Sequence, residues 1–210
     1  MNEATELLEV FDDAGHPTGV AKTRAEIHAN GDWHLAFFCW IVRDNGELVL
    51  QKRSGAKSTF PHRFDASAAG HVRFGETRAQ AMREIREELG LEVREDDLVP
   101  VGRHRQEHHH PNGIVDREHH DIYVLAYDAP LSTYRPNEEV SGLVAVDARA
   151  LVDLVAERRA SITTELWQGS QATPFVLRKE HLVPYDVAYH ERIALAAERA
   201  QHSKSQRSSS

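Results

Sequence analysis

The chain is 210 residues long, 40% hydrophobic and 28% charged, with a formal net charge of −8 at pH 7. That is enough chain to bury a core in a single domain with extensions, and the acidic balance argues against a nucleic-acid backbone as the main partner while leaving room for a small phosphorylated molecule held by local positive charge or a metal. The single cysteine, Cys39, excludes an internal disulfide and is compatible with a reducing cytoplasm, and the longest apolar run, residues 35–42, is far too short to span a membrane.

Residues 1–10, MNEATELLEV, are acidic and lack the basic start and apolar run of a signal peptide. Residues 7–11 read as a strand, followed by a turn at Asp12, Asp13, Ala14 and Gly15. The stretch up to Asn30 is polar, with His28 just ahead of a Gly31-Asp32 turn. LAFFCWIV at 35–42, then Asn45-Gly46, then Leu48-Val49-Leu50 read as a buried hairpin. Cys39 and Trp40 fall in its core, and a nucleophilic Cys39 would need a lowered pKa and access. Within residues 51–70, Arg53 and Lys57 bracket a small-residue loop that Phe60-Pro61 ends. Two cations there suit a diphosphate, or else a solvated loop.

Residues 70–91, GHVRFGETRAQAMREIREELGL, organise the chain. The spacing predicts a helix that opens at a Thr77/Gln80 capping box and closes at Gly90. It buries Met82, Ile85 and Leu89, and it carries Glu84, Glu87 and Glu88 at i, i+3 and i+4 on one face. Clustered like charges cost about 0.2–0.5 kcal/mol per i,i+4 pair, and a cation offsets them. Hard oxygen ligands of this kind suit Mg2+ or Mn2+. REIREEL alone is equally compatible with a solvated, charge-laced surface helix.

Beyond it, residues 93–105 read as an acidic turn and a strand through Val99 and Val101. HRQEHHHPNGIVDREHH at 104–120 reads as a loop around Pro111-Asn112-Gly113, leading into a strand at 122–127. A histidine run such as His108-His109-His110 can be a metal site or an adventitious chelator, but scattered surface histidines are the commoner explanation, and no catalytic role is assigned to it. A strand at 138–146, an amphipathic helix at 147–159 and, after a polar break, a final helix from Pro184 to about Gln201 complete the pattern. The organisation expected is one domain over 1–200, with an N-terminal hairpin and a C-terminal helical extension, and a disordered low-complexity tail at 201–210. Strands flanked by helices suggest an α/β layered domain. The pattern carries no signal of oligomeric state.

The glycine-rich lead and the helix together resemble the Nudix box, the loop–helix–loop of hydrolases that cleave nucleoside diphosphates linked to other moieties. The family pattern is G-x5-E-x7-R-E-U-x-E-E-x-G-U, with U a bulky aliphatic residue. Gly70, Glu76 and all of 83–91 match it, while the spacer from Glu76 to Arg83 has six residues in place of seven. The resemblance implies a Nudix-type α/β/α sandwich with a mixed sheet. It further implies Mg2+ or Mn2+ held by Glu84, Glu87 and Glu88, and a small-molecule diphosphate as partner, with neither nucleic acid nor membrane.

WHLAFFCWIV, RSGAKSTFP, DASAAGHV and GIVDRE resemble the branch that includes isopentenyl-diphosphate isomerase and its hydrolase-like relatives. The isomerase's diphosphate-binding Arg and Lys correspond to Arg53 and Lys57. Its metal-binding histidines correspond to His34, His71 and, more loosely, His28, and its carboxylate ligands to Asp116 and Glu118. This second position favours Mn2+, Zn2+ or similar ions over Mg2+, unless Glu118 is instead the general base. Ala69 replaces the isomerase's catalytic cysteine, and the box keeps carboxylates that the isomerase has lost. The resemblance therefore implies a metal-dependent pyrophosphohydrolase, with an isomerase or a non-catalytic binding module as the competing readings.

Overall fold

The structure, a computed structural model, describes residues 5–208, with side chains as far as His202. The first residues of the acidic N-terminal stretch, 1–4, and the end of the expected tail, 209–210, lie outside the described residues. In chain order the elements begin β1 (Leu7–Phe11), β2 (Pro17–Thr23), α1 (Arg24–Asn30), β3 (Trp33–Val42), β4 (Glu47–Arg53), β5 (Phe64–Asp65) and β6 (Ala68–His71). There follow α2 (Arg78–Ala81), α3 (Arg83–Leu89), β7 (Leu98–His109) and β8 (Val115–Ala126). The chain ends with β9 (Val140–Asp147), α4 (Ala148–Val155), β10 (Ile162–Gln168), β11 (Gln171–Leu177) and α5 (Val187–Ser208). The class is the expected mixed α/β, with a large and mostly antiparallel sheet.

The chain falls into two compact units. One takes the chain up to Phe38, Ala69–Glu84 and Gly102–Ile122, and the other takes Cys39–Ala68, Ile85–Val101 and the chain from Tyr123 onward. Neither is a contiguous piece of sequence.

In the first unit the polar stretch after β1 is not a loop. It supplies β2, which pairs antiparallel with β1 (Leu8↔Lys22, Glu9↔Ala21), and the short helix α1. A capping box closes the front of α1: the Glu26 amide donates to Thr23 Oγ1 at 3.3 Å and the Thr23 amide donates to Glu26 Oε2 at 2.9 Å. Gly31, at φ 68°, ends it in the left-handed conformation. The region expected as a loop over 104–120 is likewise the heart of a long hairpin. Strands β7 and β8 pair with each other, and the turn is closed by the His110 amide on the Ile114 carbonyl at 2.9 Å. Burial alternates along β7, with His104, Gln106 and His108 half-buried and Arg103, Arg105 and Glu107 exposed. Both faces are polar, so a period of two existed without the hydrophobic contrast that normally reveals it. Asp116 and Glu118 therefore lie on a strand.

In the second unit the hairpin expected around Asn45-Gly46 is present, pairing Ile41 with Val49 and Val42 with Leu48. Strand β4 continues onto β9 (Leu48↔Val146, Leu50↔Val144). The stretch at 160–183, expected as a polar break, forms the antiparallel hairpin β10–β11, in register from Ile162↔Leu177 to Gln168↔Gln171. Asp147 caps α4 by accepting from the Ala150 amide at 2.8 Å. That helix ends at Val155, short of the expected 159, and the chain reverses through Glu157 at φ 59°. Helix α5 continues past Gln201 to Ser208, so the tail expected to be disordered from 201 is helical that far. Trp40, Leu50, Val144, Leu151, Tyr189 and Ile193 are all buried here, and Trp40 Nε1 donates to Tyr189 Oη at 3.1 Å. No described helix is long and apolar enough to cross a membrane.

Candidate functional site: a histidine–carboxylate cluster and the box carboxylates

Three segments of the first unit converge on one point. His28 comes from α1, His34 from β3, His71 from β6, and Asp116 and Glu118 from β8. The ligand atoms of His28, His34 and His71 lie within 4.8 Å of one another, as do those of His34, Asp116 and Glu118. Asp116 Oδ1 is 3.7 Å from both His28 Nε2 and His34 Nε2. Glu118 Oε1 is 3.2 Å from His71 Nε2 and 3.6 Å from His34 Nε2. Strand alternation is what puts Asp116 and Glu118 on the same face. His34 Nδ1 donates to the Asp32 carbonyl at 3.2 Å, which aims Nε2 into the cluster. The five residues expected to form a second metal position are thus brought together.

The electrostatics fit a cation. His28 Nε2, His34 Nε2 and Asp116 Oδ1 are buried with no hydrogen-bond partner, an expensive state for groups of this kind. Burial pushes His28 down to about 4, and pushes His71 well below the ordinary imidazole range. Both rings are neutral at pH 7. Burial also presses on His34, but the Glu118 carboxylate beside it and the charge of Asp116 outweigh that and raise it. Burial, reinforced by the Glu118 charge, lifts Asp116 to about 7. Burial opposes the Glu118 anion too, yet the imidazoles of His120, His34 and His71 around it hold its carboxyl well below the usual range. Neutral imidazoles with carboxylates form a donor set for Mn2+, Zn2+ or a similar ion. His120, which the sequence reading left out, sits 2.8 Å from Glu118 Oε2, is buried and stacks on Phe38. Its signal was its spacing, two residues beyond Glu118 on the same strand face.

The box helix is present but broken. Met82 separates α2 from α3, while the Thr77/Gln80 capping box and the left-handed Gly90 cap, at φ 69°, are as expected. Glu76, at its shortened spacing, accepts from Arg83 Nε at 2.8 Å and from the Arg73 amide at 2.8 Å. Arg83 also bonds Glu84, so Glu76 acts through this arginine to place the first box carboxylate. Gly70 leaves this carboxylate its place, since a Cβ there would lie 2.2 Å from Glu84 Cδ in its present position.

Farther along α3, in the second unit, Glu87 is exposed and Glu88 is 1% exposed. Gln51 Nε2 donates to Glu88 Oε2 at 3.0 Å, and Lys57 Nζ lies 4.0 Å from Glu88 Oε1 while pairing with Glu139. Neither Gln51 nor Glu139 was legible as a partner, since each sits on a strand or loop far from the box in sequence. Arg53, expected to face a diphosphate, is turned inward: Nε and NH2 donate to the Thr59 carbonyl at 3.2 and 3.1 Å, and NH1 to Asp65 Oδ2 at 3.3 Å. Cys39 is buried and burial pushes its thiol up, so it is a core residue.

The NUDIX domain profile matches residues 32–166. The chain is 32% identical over 200 residues to an uncharacterized Nudix hydrolase of Clostridium acetobutylicum, covering 91% of this chain and 96% of that one. It is also 36% identical over 172 residues to the isopentenyl-diphosphate Delta-isomerase of Salmonella typhi, covering 81% and 84%. Among solved structures, DR0079 from Deinococcus radiodurans superposes with a TM-score of 0.57 at 25% identity, over 72% of this chain and 90% of that one. A profile matched across more than half of the sequence, with a relative similar over nearly its whole length, shows that the chain belongs to the NUDIX family.

Proposed function

We propose that this protein is a metal-dependent hydrolase that cleaves the diphosphate linkage of a small organic or nucleotide-linked diphosphate. The observation that carries this reading is Glu88: a buried box carboxylate held by an amide, with a lysine ammonium alongside at 4.0 Å. Glu84, Glu87 and Glu88 would hold Mg2+ or Mn2+. Such a cation, when bound, supplies neutralisation of the charge that develops on the phosphate oxygens. Gln51 and Arg83 orient the carboxylates, and Lys57 binds a phosphate oxygen of the substrate. His28, His34, His71, Asp116 and Glu118 form a second metal position. Both oxygens of Glu118 lie close to imidazole nitrogens, which favours a ligand role for it over a general base.

Glu87→Gln and Glu88→Gln are each expected to lower turnover by about 10²–10³-fold, with circular dichroism unchanged. The assay follows phosphate release from ADP-ribose, a dinucleoside polyphosphate and isopentenyl diphosphate. Near-normal turnover in both variants at saturating Mg2+ would falsify the hydrolytic reading of the box.

A second reading, isomerisation of a prenyl diphosphate, is favoured by the buried histidine–carboxylate cluster and by the likeness to the Salmonella typhi isomerase. Ala69 stands where that chemistry would need a cysteine. Solvent-proton exchange into isopentenyl diphosphate without phosphate release would decide for the isomerase.

A further inference from the structure

The loop at 54–63 is strained. Phe60 and His62, neither of them glycine, sit at φ 46° and 64°, and Gly55 is pressed so close to His62 that a Cβ would lie 2.6 Å from the ring. Left-handed backbone at bulky residues persists only where its surroundings over-determine it. Arg53 provides that constraint. Its guanidinium donates to the Thr59 carbonyl through Nε and NH2, and NH2 also reaches Thr59 Oγ1 at 3.1 Å. Its backbone closes the loop, with the Arg53 amide on the Arg63 carbonyl at 2.8 Å and the His62 amide on the Arg53 carbonyl at 3.1 Å.

The carboxylate that holds Arg53 is itself held from outside the segment matched by the family profile. Asp65 Oδ2 accepts from Arg53 NH1 at 3.3 Å, while Asp65 Oδ1 accepts from the Ala66 amide at 2.8 Å and from Tyr185 Oη at 3.0 Å. Tyr185 stands just ahead of α5, beyond residue 166. Asp65, Thr59 and Tyr185 are all buried. A phenol that donates to one oxygen of a buried carboxylate fixes which way the other oxygen faces, and the second oxygen fixes the guanidinium.

We propose that Tyr185 is a positioning residue for diphosphate binding: through Asp65 and Arg53 it holds the strained loop in the shape that presents Lys57. This inference rests on the phosphate-binding role proposed above for Lys57. It assigns Arg53 to the inside of the loop and gives the C-terminal extension a part in substrate affinity. It also commits Tyr185 to acting on affinity and leaving the chemical step alone.

The experiment compares the wild-type chain with Tyr185→Phe, Thr59→Val, Lys57→Ala and the Tyr185→Phe/Lys57→Ala double variant. Binding of inorganic pyrophosphate with Mg2+ is followed by titration calorimetry, and amide hydrogen exchange is read at Lys57, His62 and Arg63. In Tyr185→Phe and Thr59→Val these loop amides are expected to exchange about ten-fold faster. The pyrophosphate Kd should rise about three- to ten-fold, the range a single net hydrogen bond sets. In the Lys57→Ala background, Tyr185→Phe should add no further rise, because the two act in series. Unchanged loop exchange in both Tyr185→Phe and Thr59→Val overturns the proposal. So does an unchanged Kd in Tyr185→Phe when Lys57→Ala weakens binding. If Lys57→Ala leaves the Kd unchanged, the phosphate role of Lys57 falls first and the inference falls with it.

Discussion

At Gly70 one hydrogen atom separates the backbone from the Glu84 carboxylate, and a methyl group has no room there. The obstructing atoms are the end of a flexible side chain, so Gly70→Ala should shift Glu84 and leave the fold standing. We expect kcat at saturating Mg2+ to fall at least about ten-fold, with the melting temperature within a few degrees of wild type. Equal activity in the two proteins would remove Glu84 from the catalytic set. His71 offers the complementary test. Its ring is half-buried, neutral and 3.2 Å from Glu118, so His71→Ala should lose one equivalent of bound Mn2+ or Zn2+ on metal analysis. Glu88→Gln should keep that equivalent. Residues of this kind were legible because their types recur at fixed motif spacings. Gln51 and Glu139 were not, because each is defined only by the partner that folding brings to it, and the spacing that marks His120 lay in a stretch read as a loop.

Short elements deliver these side chains. Helix α1 has only seven residues, too few to be stable alone, yet it carries His28. Its capping box and its left-handed Gly31 hold both ends, and Val115 lies where a Cβ on Gly31 would be, at 2.9 Å. Thr23→Ala should therefore cost about 1 kcal/mol in urea denaturation and weaken retention of the metal at the histidine cluster against a chelator. If stability falls and metal retention does not, the helix is structural without placing His28. The sequence held the cap as Thr23-x-x-Glu26, but an amphipathic period cannot show in two turns. The β7–β8 hairpin was hidden for a different reason: with polar residues on both faces, its alternation separates one polar environment from another.

For the molecule as a whole, the legible part is largely the part the family profile covers, and 167–208 was read least well. Hairpin β10–β11 is mostly exposed, so burial left little imprint on its composition. The extension also holds a buried titratable group. His190 packs against Trp40, Tyr185 and Tyr189 with neither ring nitrogen bonded, and burial pushes it down to about 4 from 6.5. The unfolded chain takes up this proton near 6.5 and the folded chain only near 4. Its contribution to stability is therefore complete above 6.5 and lost as the pH falls toward 4. The loss across that window is about 3 kcal/mol. His190→Leu should show a correspondingly shallower decline in urea-denaturation free energy between pH 7 and pH 4, and parallel curves would dismiss the effect. The β7–β8 hairpin has a last consequence, for how such a site changes over time. Arg103–Asp121 and Glu107–Arg117 pair across one face while Asp116, Glu118 and His120 point the other way. The cluster proposed to hold a metal is thus written in the parity of residue positions. An insertion or deletion of two residues near the hairpin turn preserves that parity, whereas a change of one exchanges the two faces of a strand. Lineages that keep this site should therefore vary in hairpin length by even steps.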